Sequence, residues 1–453
     1  MAQRFDLVIG GGTIVNQDGV WEGDVGIEGG RFTQLGRIPR EAARDYFDAS
    51  GLHILPGVID SHVHFREPGG EDREDLESGS RAAVLGGVTA VFEMPNTNPP
   101  TTTAAALADK VARGRDRMHC DFAFYPGATT DNIDDLPTLE RLEGAAGIKV
   151  FMGSSTGNLL VDDPALLRAL LAKARRRVAF HCEDEARLNA RKTLCREGDP
   201  SSHSDWRDPE AAMMAVRDLL ALARETGARV HILHVSTAGE LALLAANRDI
   251  ATVEATPHHL MLATPSAYEA LGTRAQMNPP LRDEGQRAAL WDAVRQGLVD
   301  TLGSDHAPHS LEAKALPYPA SPSGMPGVQT LVPLMLDRVN AGAMTLQRFA
   351  DLTSAGPARV YGIAGKGRIA LGYDADLTLV DLKAERTITN AGSASRCGWT
   401  PYDGWKVTGW PMATIVRGRI VMRDGEVIAA ATGQPVRFAE ALMGRRAVAD
   451  SAV

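Results

Sequence analysis

The fold of this chain is decided by the stretch Val58-Ile-Asp-Ser-His-Val-His-Phe-Arg-Glu-Pro-Gly69, a short apolar strand that ends in polar residues. His62 and His64 are two positions apart, so on a strand their side chains project from the same face. Two neighbouring imidazoles at a strand end can bind one metal ion, although an isolated pair of this kind also fits an ordinary surface or sheet position. Arg66 follows on that face and carries a planar cation suited to a carboxylate. The later strands decide between these interpretations, because ligand-type residues recur at their ends.

Seven more short apolar segments follow and alternate with amphipathic, helical stretches. The eight predicted strands are residues 57–65, 90–96, 121–127, 147–153, 178–183, 230–236, 251–258 and 300–306. The helical stretches include residues 74–85, 163–174, 209–226 and 238–246. Eight such units over about 250 residues fit a (β/α)8 barrel, and a doubly wound open sheet is the alternative. Polar residues cluster at the carboxyl ends of the strands, as in barrel active sites, so we predict an α/β fold with a (β/α)8 barrel.

The N-terminal part has β texture. Residues 6–15 and 24–32 are β-branched runs punctuated by glycine turns. Gly10-Gly11-Gly12 suggests a dinucleotide-binding loop at first sight, but the G-x-G-x-x-G spacing is absent and no helix pattern follows. We therefore predict a hairpin.

The C-terminal part returns to the same texture. Residues 367–381 and 413–427 are predicted as strands and hairpins, and Arg423-Asp424-Gly425 is a good turn signal. A helix and a loose tail are predicted from about Ala439.

These patterns predict three regions. Residues 1–55 and 361–453 form the two halves of one small β-sandwich, and residues 56–360 form the barrel beside it.

Composition limits the function classes. The net charge of −9 argues against a general binder of nucleic acid or of anionic membranes, but it does not forbid a local cationic pocket. The N-terminus lacks the apolar run of a signal peptide, and no stretch is long and apolar enough to span a membrane. We expect a cytoplasmic protein that binds neither nucleic acid nor membranes.

The four cysteines, Cys120, Cys182, Cys195 and Cys397, form no C-x-x-C pair and are expected to be reduced thiols. Cys182 is adjacent to His181, but we interpret it as a small apolar filler.

Further ligand-type residues end the later strands. His181 ends an apolar run, and Asp305 follows the eighth strand, where it can reach a metal and hold or move a proton. His231 and His234 are three apart, so on a strand they point to opposite faces and only one can face the barrel mouth. His234 is nearer the carboxyl end and is the better candidate, and His231 is expected to be packed or hydrogen-bonded.

Lys149 lies among apolar residues of the fourth strand. It either reaches solvent from the strand end or is a buried amine with a lowered pKa. A neutral amine can add carbon dioxide and become a carbamate, an anion able to bridge two cations. Nitrogen and oxygen ligands at this density suit zinc or another first-row divalent ion. The predicted ligands are His62, His64, Lys149, His181, His234 and Asp305.

With these motifs, the chain resembles the amidohydrolase superfamily and, within it, the dihydroorotases. The resemblance covers nearly the whole length, from Asp-Ser-His-Val-His through Gly303-Ser-Asp-His-Ala-Pro-His309 to Gly372-Tyr-Asp-Ala-Asp-Leu377. It implies two zinc ions, or another divalent metal, bridged by carboxylated Lys149. His62 and His64 with Asp305 would hold one ion, and His181 and His234 the other.

The same resemblance implies the substrate contacts. Dihydroorotases have His-x-His-x-Arg-x-Pro-Gly, and the Arg pairs with the carboxylate of dihydroorotate, which hydantoin, allantoin and dihydrouracil lack. The implied substrate-binding residues are Arg66, Asn96, Asn278, His309, Ser323 and Gly324. The segment 321–327 has Pro-Ser-Gly where the family has Pro-Phe-Gly, which puts the contacts of Ser323 and Gly324 in doubt. The sequence after Lys149 is a second departure from the family pattern and resembles a lysine-bearing branch of the family.

The implied reaction is reversible hydrolysis of dihydroorotate to carbamoyl aspartate in pyrimidine biosynthesis, with Asp305 as the proton carrier. A homodimer is implied as well, and association with aspartate transcarbamoylase is left open. Two alternatives remain: an allantoinase or hydantoinase type of cyclic amidohydrolase, and a catalytically silent scaffold for aspartate transcarbamoylase.

Overall fold

The N-terminal segment folds into five strands. The computed structural model describes residues 4–153 and 158–440, and these strands are β1 (Phe5–Asn16), β2 (Gly19–Glu28), β3 (Arg31–Gly36), β4 (Ala43–Asp48) and β5 (His53–Pro56). β1 continues through the three glycines and pairs antiparallel with β2, with one register shift between Ile9 and Gly12. A Cβ at Gly12 would come within 2.6 Å of the Ile54 side chain, so these glycines serve close strand packing. β1 and β2 form a hairpin, but its turn lies at Gln17 and Asp18, so the prediction of a turn at the three glycines is wrong.

The next eight strands are short, almost entirely buried and parallel. They are β6 (Val58–Val63), β7 (Val88–Glu93), β8 (Asp121–Phe124), β9 (Lys149–Phe151), β10 (Val178–His181), β11 (Val230–Ile232), β12 (Ala251–Ala255) and β13 (Thr301–Leu302). β6 to β8 form one sheet and β9 to β13 a second. Isolated parallel bridges link the sheets on both sides, between Gly127 and Lys149 and between Val63 and His306. All eight predicted strands are present, in parallel sheets whose order is consistent with a (β/α)8 barrel.

Helices connect and flank these strands. They are α1 (Leu76–Leu85), α2 (Ala104–Gly114), α3 (Leu136–Leu139), α4 (Pro164–Lys173), α5 (Glu185–Arg191), α6 (Ser202–Trp206), α7 (Pro209–Thr226), α8 (Ala238–Ala245), α9 (Pro257–Met261), α10 (Ser266–Leu271), α11 (Glu284–Arg295), α12 (Leu311–Lys314), α13 (Leu331–Asn340), α14 (Leu346–Ala350) and α15 (Gly356–Tyr361). Short 3₁₀ turns span Arg40–Ala42, Lys192–Leu194, Gly272–Ala275 and Asn390–Gly392, and a π-helical turn spans Asp351–Ala355. Asp75 caps α1 in a capping box with Ser78, and Asp208 caps α7, which ends at left-handed Gly227. The four predicted helical stretches are confirmed as α1, α4, α7 and α8.

The C-terminal strands complete the N-terminal sheet. They are β14 (Leu377–Thr387), β15 (Lys406–Val416), β16 (Arg419–Arg423) and β17 (Glu426–Val427). β14 pairs with β5, so both ends of the chain build one nine-stranded sheet in the order β17-β16-β15-β14-β5-β1-β2-β3, with β4 on β1. Asp424 and Gly425 have φ values of 52° and 83°, as the predicted turn requires.

One strand prediction is wrong at its start. Residues 367–376 form turns and bends, and the strand begins only at Leu377. Gly367 and Gly372 have φ values of 85° and 82°, far from the negative φ of a regular strand. The predicted C-terminal helix and tail, beyond residue 440, lie outside the described residues.

A buried ionic cluster joins the two parts of the fold. Lys366 Nζ lies 2.6 Å from Asp121 Oδ2, at the start of β8, and 2.5 Å from Asp376 Oδ2, just before β14. Arg417 Nε adds a contact of 2.9 Å to Asp121 Oδ2. Because Lys366, Asp121 and Asp376 are buried, each charge depends on its partners.

Within the described ranges, no helix has the length and apolarity that a membrane span requires. The four cysteines carry free thiols. Burial raises the pKa of the Cys182 thiol well above its usual value, which agrees with its interpretation as a filler.

Candidate metal centre and active site

A cavity of about 600 Å³ lies where the parallel strands end. Every residue that the sequence predicted for the site lines this cavity, namely His62, His64, Arg66, Asn96, Lys149, His181, His234, Asn278, Asp305, His309, Ser323 and Gly324. Residues more than 200 positions apart therefore meet at one place, as expected for the carboxyl ends of neighbouring parallel strands.

The first group in the cavity is His62, His64 and Asp305. Nε2 of each histidine lies 3.2 Å from Asp305 Oδ1, and one ligand atom from each residue lies within 4.8 Å of the others. The other ring nitrogens are held in place: His62 Nδ1 lies 2.7 Å from Glu254 Oε1, and His64 Nδ1 lies 2.7 Å from Asn96 Oδ1. The Nε2 atoms of His62 and His64 therefore both point towards the Asp305 carboxylate. Histidines whose other ring nitrogen is held in this way are typical of metal sites.

The second group is His181 and His234. His181 Nδ1 lies 3.0 Å from His234 Nε2, and the His234 ring centre lies 5.3 Å from that of His62. His181 Nε2 lies 2.9 Å from Glu183 Oε2. The two groups are adjacent, so five side chains with nitrogen or oxygen atoms able to bind a metal face one compact space.

Lys149 lies beside both groups. Its Nζ is buried, has no hydrogen-bond partner among the described residues, and lies 4.3 Å from the Phe151 ring centre. Burial lowers the pKa of Lys149 to about 7, although the charges of Glu254 and Asp305 oppose the shift. A buried amine that is partly neutral at neutral pH is the form that can react with carbon dioxide, so this position fits a bridging carbamate.

Three predicted site residues have left-handed backbone conformations. Arg66, His234 and Asp305 have φ values of 65°, 37° and 47°, which are uncommon outside glycine and cluster at functional sites. Strand alternation does not apply to His234, because β11 already ends at Ile232. His231 is buried and hydrogen-bonded through Nδ1 to Thr252 Oγ1 at 2.8 Å, as predicted.

Asp305 is ionised at neutral pH. Burial alone would raise its pKa, but the neighbouring His62 and His64 hold the pKa well below its usual range. Its carboxylate is therefore in the proton-free form.

Arg66 and His309 line the same cavity and contact each other, and Arg66 supplies the positive charge. Arg66 Nε donates to Pro308 O at 3.3 Å, and Nη2 lies 3.3 Å from His309 Nε2. His309 Nε2 also lies 3.0 Å from Ser323 O; as a lone pair it accepts from Arg66, and as an N–H it donates to Ser323. Burial, reinforced by the charge of Arg66, lowers the pKa of His309 to about 2, so its ring is neutral.

The segment with Ser323 and Gly324 closes one side of the cavity. Gln276 Nε2 donates to Ser323 Oγ at 3.1 Å, and Lys314 Nζ donates to Pro322 O at 2.8 Å. Gly324 has a φ of 138°, and a Cβ there would come within 2.3 Å of Ala307 O. Despite the altered Pro-Ser-Gly sequence, this segment is held against the cavity.

Several cavity residues were not predicted. His203 holds Asn278 through a contact of 2.8 Å between Nε2 and Oδ1, and Arg207, Tyr318 and Arg73 line the wall. Their roles depend on tertiary contacts that sequence spacing does not reveal.

Glu254 and Glu183, whose carboxylates contact His62 and His181, could have been identified from the sequence. Each is an acidic residue inside or directly after an apolar strand, where an unpaired charge would be costly.

The comparisons with known proteins agree with this geometry. The family described as "Amidohydrolase family" matches residues 53–421. The dihydroorotase of Halobacterium salinarum is 39% identical over 422 residues, which cover 91% of this chain and 96% of that protein. The allantoinase of Rubrobacter xylanophilus is 37% identical over 450 residues, which cover 96% and 98%.

The comparison with solved structures agrees with the family match. The L-hydantoinase (dihydropyrimidinase) of Arthrobacter aurescens has a TM-score of 0.91 at 30% identity and covers 95% of this chain and 99% of that one. A family match that spans most of the sequence, relatives at this identity and a shared fold lead to one conclusion: the chain belongs to the amidohydrolase family.

Proposed function

We propose that this protein is a dihydroorotase, which hydrolyses the cyclic amide of dihydroorotate to carbamoyl aspartate and catalyses the reverse closure. The observation that carries the proposal is Arg66. Its guanidinium is buried, faces the cavity, and has only Pro308 O and His309 as hydrogen-bond partners among the described residues. A buried cation without a carboxylate partner fits a substrate that brings its own carboxylate.

The proposed metals follow from the ligand geometry. His62 and His64 with Asp305 would hold one zinc or other divalent ion, His181 and His234 the other, and carboxylated Lys149 would bridge them. The unpartnered, buried Lys149 Nζ supports this assignment. When bound, two such cations supply a more acidic water and polarise the amide carbonyl.

The protein side chains supply the remaining chemistry. Asp305, ionised beside the histidines, accepts the proton of the attacking water and delivers it to the departing ring nitrogen. Arg66 and Asn96 lie next to this centre and would orient the substrate, with Asn278, His309, Ser323 and Gly324 closing around the ring. Asn96 has a second role, because its Oδ1 lies 2.7 Å from His64 Nδ1.

The proposal includes the finer architecture. The parallel bridges at both sides of the two sheets support a closed (β/α)8 barrel of residues 56–360. Residues 1–55 and 361–453 would form the small β-sandwich, as the shared nine-stranded sheet suggests. The homodimer and the association with aspartate transcarbamoylase stay predictions.

The second candidate is an allantoinase or hydantoinase activity, which the relatives of those names favour. Their named substrate classes, allantoin and hydantoin, lack a carboxylate, so an uncharged ring would leave Arg66 without a counter-charge. A silent scaffold is disfavoured, because all six proposed metal ligands line the cavity.

The deciding experiment compares hydrolysis of dihydroorotate, allantoin and dihydrouracil by protein whose metal content has been counted. Turnover of dihydroorotate with about two ions per chain is the expected result. Activity only on an uncharged ring would overturn the substrate assignment while keeping the metal centre. A chain with neither ions nor activity would point to the scaffold.

A further inference from the structure

His181 is held by two buried charged side chains, Glu183 and Arg207. Neither of them has a part in the proposed reaction. Glu183 accepts from His181 Nε2 at 2.9 Å. Arg207 binds both oxygens of that carboxylate, with Nε 3.1 Å from Oε1 and Nη2 in contact with Oε2. Glu183 and Arg207 are 0% and 1% exposed, and Arg282 donates to the Arg207 carbonyl. Both charged side chains are therefore almost completely buried.

These two side chains decide which nitrogen of His181 carries hydrogen. A carboxylate bound on both oxygens by a guanidinium is ionised and can only accept hydrogen bonds. His181 Nε2 must then be the N–H, which leaves the lone pair on Nδ1. Nδ1 is the atom that faces His234 Nε2 at 3.0 Å, on the cavity side.

His62 is supported separately and through the opposite ring atom. Its Nδ1 lies 2.7 Å from Glu254 Oε1, so its Nε2 faces Asp305. Glu254 lies in β12, whereas Glu183 follows the end of β10. Glu254 also accepts from the backbone N–H of His234 at 3.2 Å, but the His181 ring is held by Glu183.

We propose that Glu183, held by Arg207, is a positioning residue that presents Nδ1 of His181 to one of the two cations. The inference rests on the binuclear centre of the proposed function. It assigns the affinity for one ion to a carboxylate that touches neither ion nor substrate, as carboxylate–histidine pairs do in other metal sites.

The test is Glu183→Gln, in which the side chain keeps its size but loses its charge. The purified holoprotein is dialysed against a chelator, and zinc per chain is counted over time. We expect one equivalent of zinc to leave about 10- to 100-fold faster than from the unaltered protein, while the other leaves at the unaltered rate. Glu183→Asp should restore part of the retention.

The matched control is Glu240→Gln. Glu240 is equally buried, but it bonds Thr237 and Ser236 instead of a proposed ligand, so zinc release should not change. If Glu183→Gln fails to fold, Arg207→Lys replaces it, because Lys keeps the charge but loses the two-pronged contact. This variant should release the same equivalent faster, by a smaller factor.

Three results would overturn the inference: unaltered release from Glu183→Gln or from Arg207→Lys, loss of both ions together with a lowered melting temperature, or an equal effect of Glu240→Gln. An unaltered protein that holds fewer than two ions would instead refute the binuclear centre itself.

Discussion

Replacement of Arg66 by Gln tests the substrate assignment most directly. The variant keeps an N–H donor but removes the charge and the two-pronged guanidinium, and it shortens the side chain. In the structure, Arg66 makes two contacts of 3.3 Å, at the long end of the hydrogen-bond range. Little is therefore lost in the free protein, and the effect should fall on the bound state.

The magnitude follows from those contacts. A carboxylate would accept two charge-assisted hydrogen bonds from the guanidinium, each contributing about 1.5–3 kcal/mol. Substrate binding also breaks the two weak hydrogen bonds of Arg66 to neutral groups, each contributing about 1 kcal/mol. The net loss is about 1–4 kcal/mol, which at about 1.36 kcal/mol per tenfold corresponds to a KM for dihydroorotate that rises about 5- to 900-fold.

The assay measures kcat and KM in both reaction directions, with the metal content counted for each variant. Arg81→Gln is the control, because Arg81 is exposed, pairs with Glu77 and does not line the cavity. A KM within about twofold of the unaltered value would refute the reasoning. So would an equal loss with dihydrouracil, which carries no carboxylate.

Three further changes test other parts of the structure. Asp305→Asn should retain its ions and lower kcat about 10²- to 10⁴-fold, because an amide cannot accept the proton; a near-normal kcat would remove Asp305 from that role. Lys149→Met should lower both the ion content and the activity, since a thioether cannot form the bridging carbamate, and elemental analysis that still finds two ions would contradict the bridge. Lys366→Met should lower the free energy of unfolding by about 3–5 kcal/mol, because it leaves Asp376 buried without its cation and Asp121 with Arg417 as its remaining one. Urea unfolding measures that loss, and an unchanged midpoint would show that the cluster does not stabilise the fold.

Much of the architecture could be read from local pattern. The eight parallel strands were recognisable because buried strands are apolar runs, and each ends in polar residues that the next helix or loop requires. The start of β14 was misplaced, since the glycines at 367 and 372 adopt positive φ values that composition alone does not announce. The pairing of β5 with β14 was reached only as the simplest packing of two β regions, not from any local signal.

The candidate site divides in the same way. Histidine and aspartate are unusual residue types at the ends of apolar strands, so His181 and Asp305 could be identified as candidate ligands from the sequence. Arg207, which holds Glu183 and through it His181, is an ordinary charged residue in the sequence, and its importance comes from a tertiary contact that local pattern does not show. His234 was chosen over His231 because side chains alternate along a strand. His234 has a left-handed backbone, so this rule does not apply to it, although the choice agrees with the observed geometry.

The pairing of β5 with β14 has a consequence for how the protein is made. Residues 53–56 bond to residues 377–380 and His53 pairs with Val380, so 327 residues (380 − 53) must be synthesised after His53 before its partner exists. At about 5–20 residues per second, that interval is roughly 15–65 s. During this time the β5 edge has free N–H and C=O groups that can pair with another chain. A chain that stops before residue 377 never covers this edge, so truncated products should aggregate through their N-terminal strands even when their parallel strands are complete.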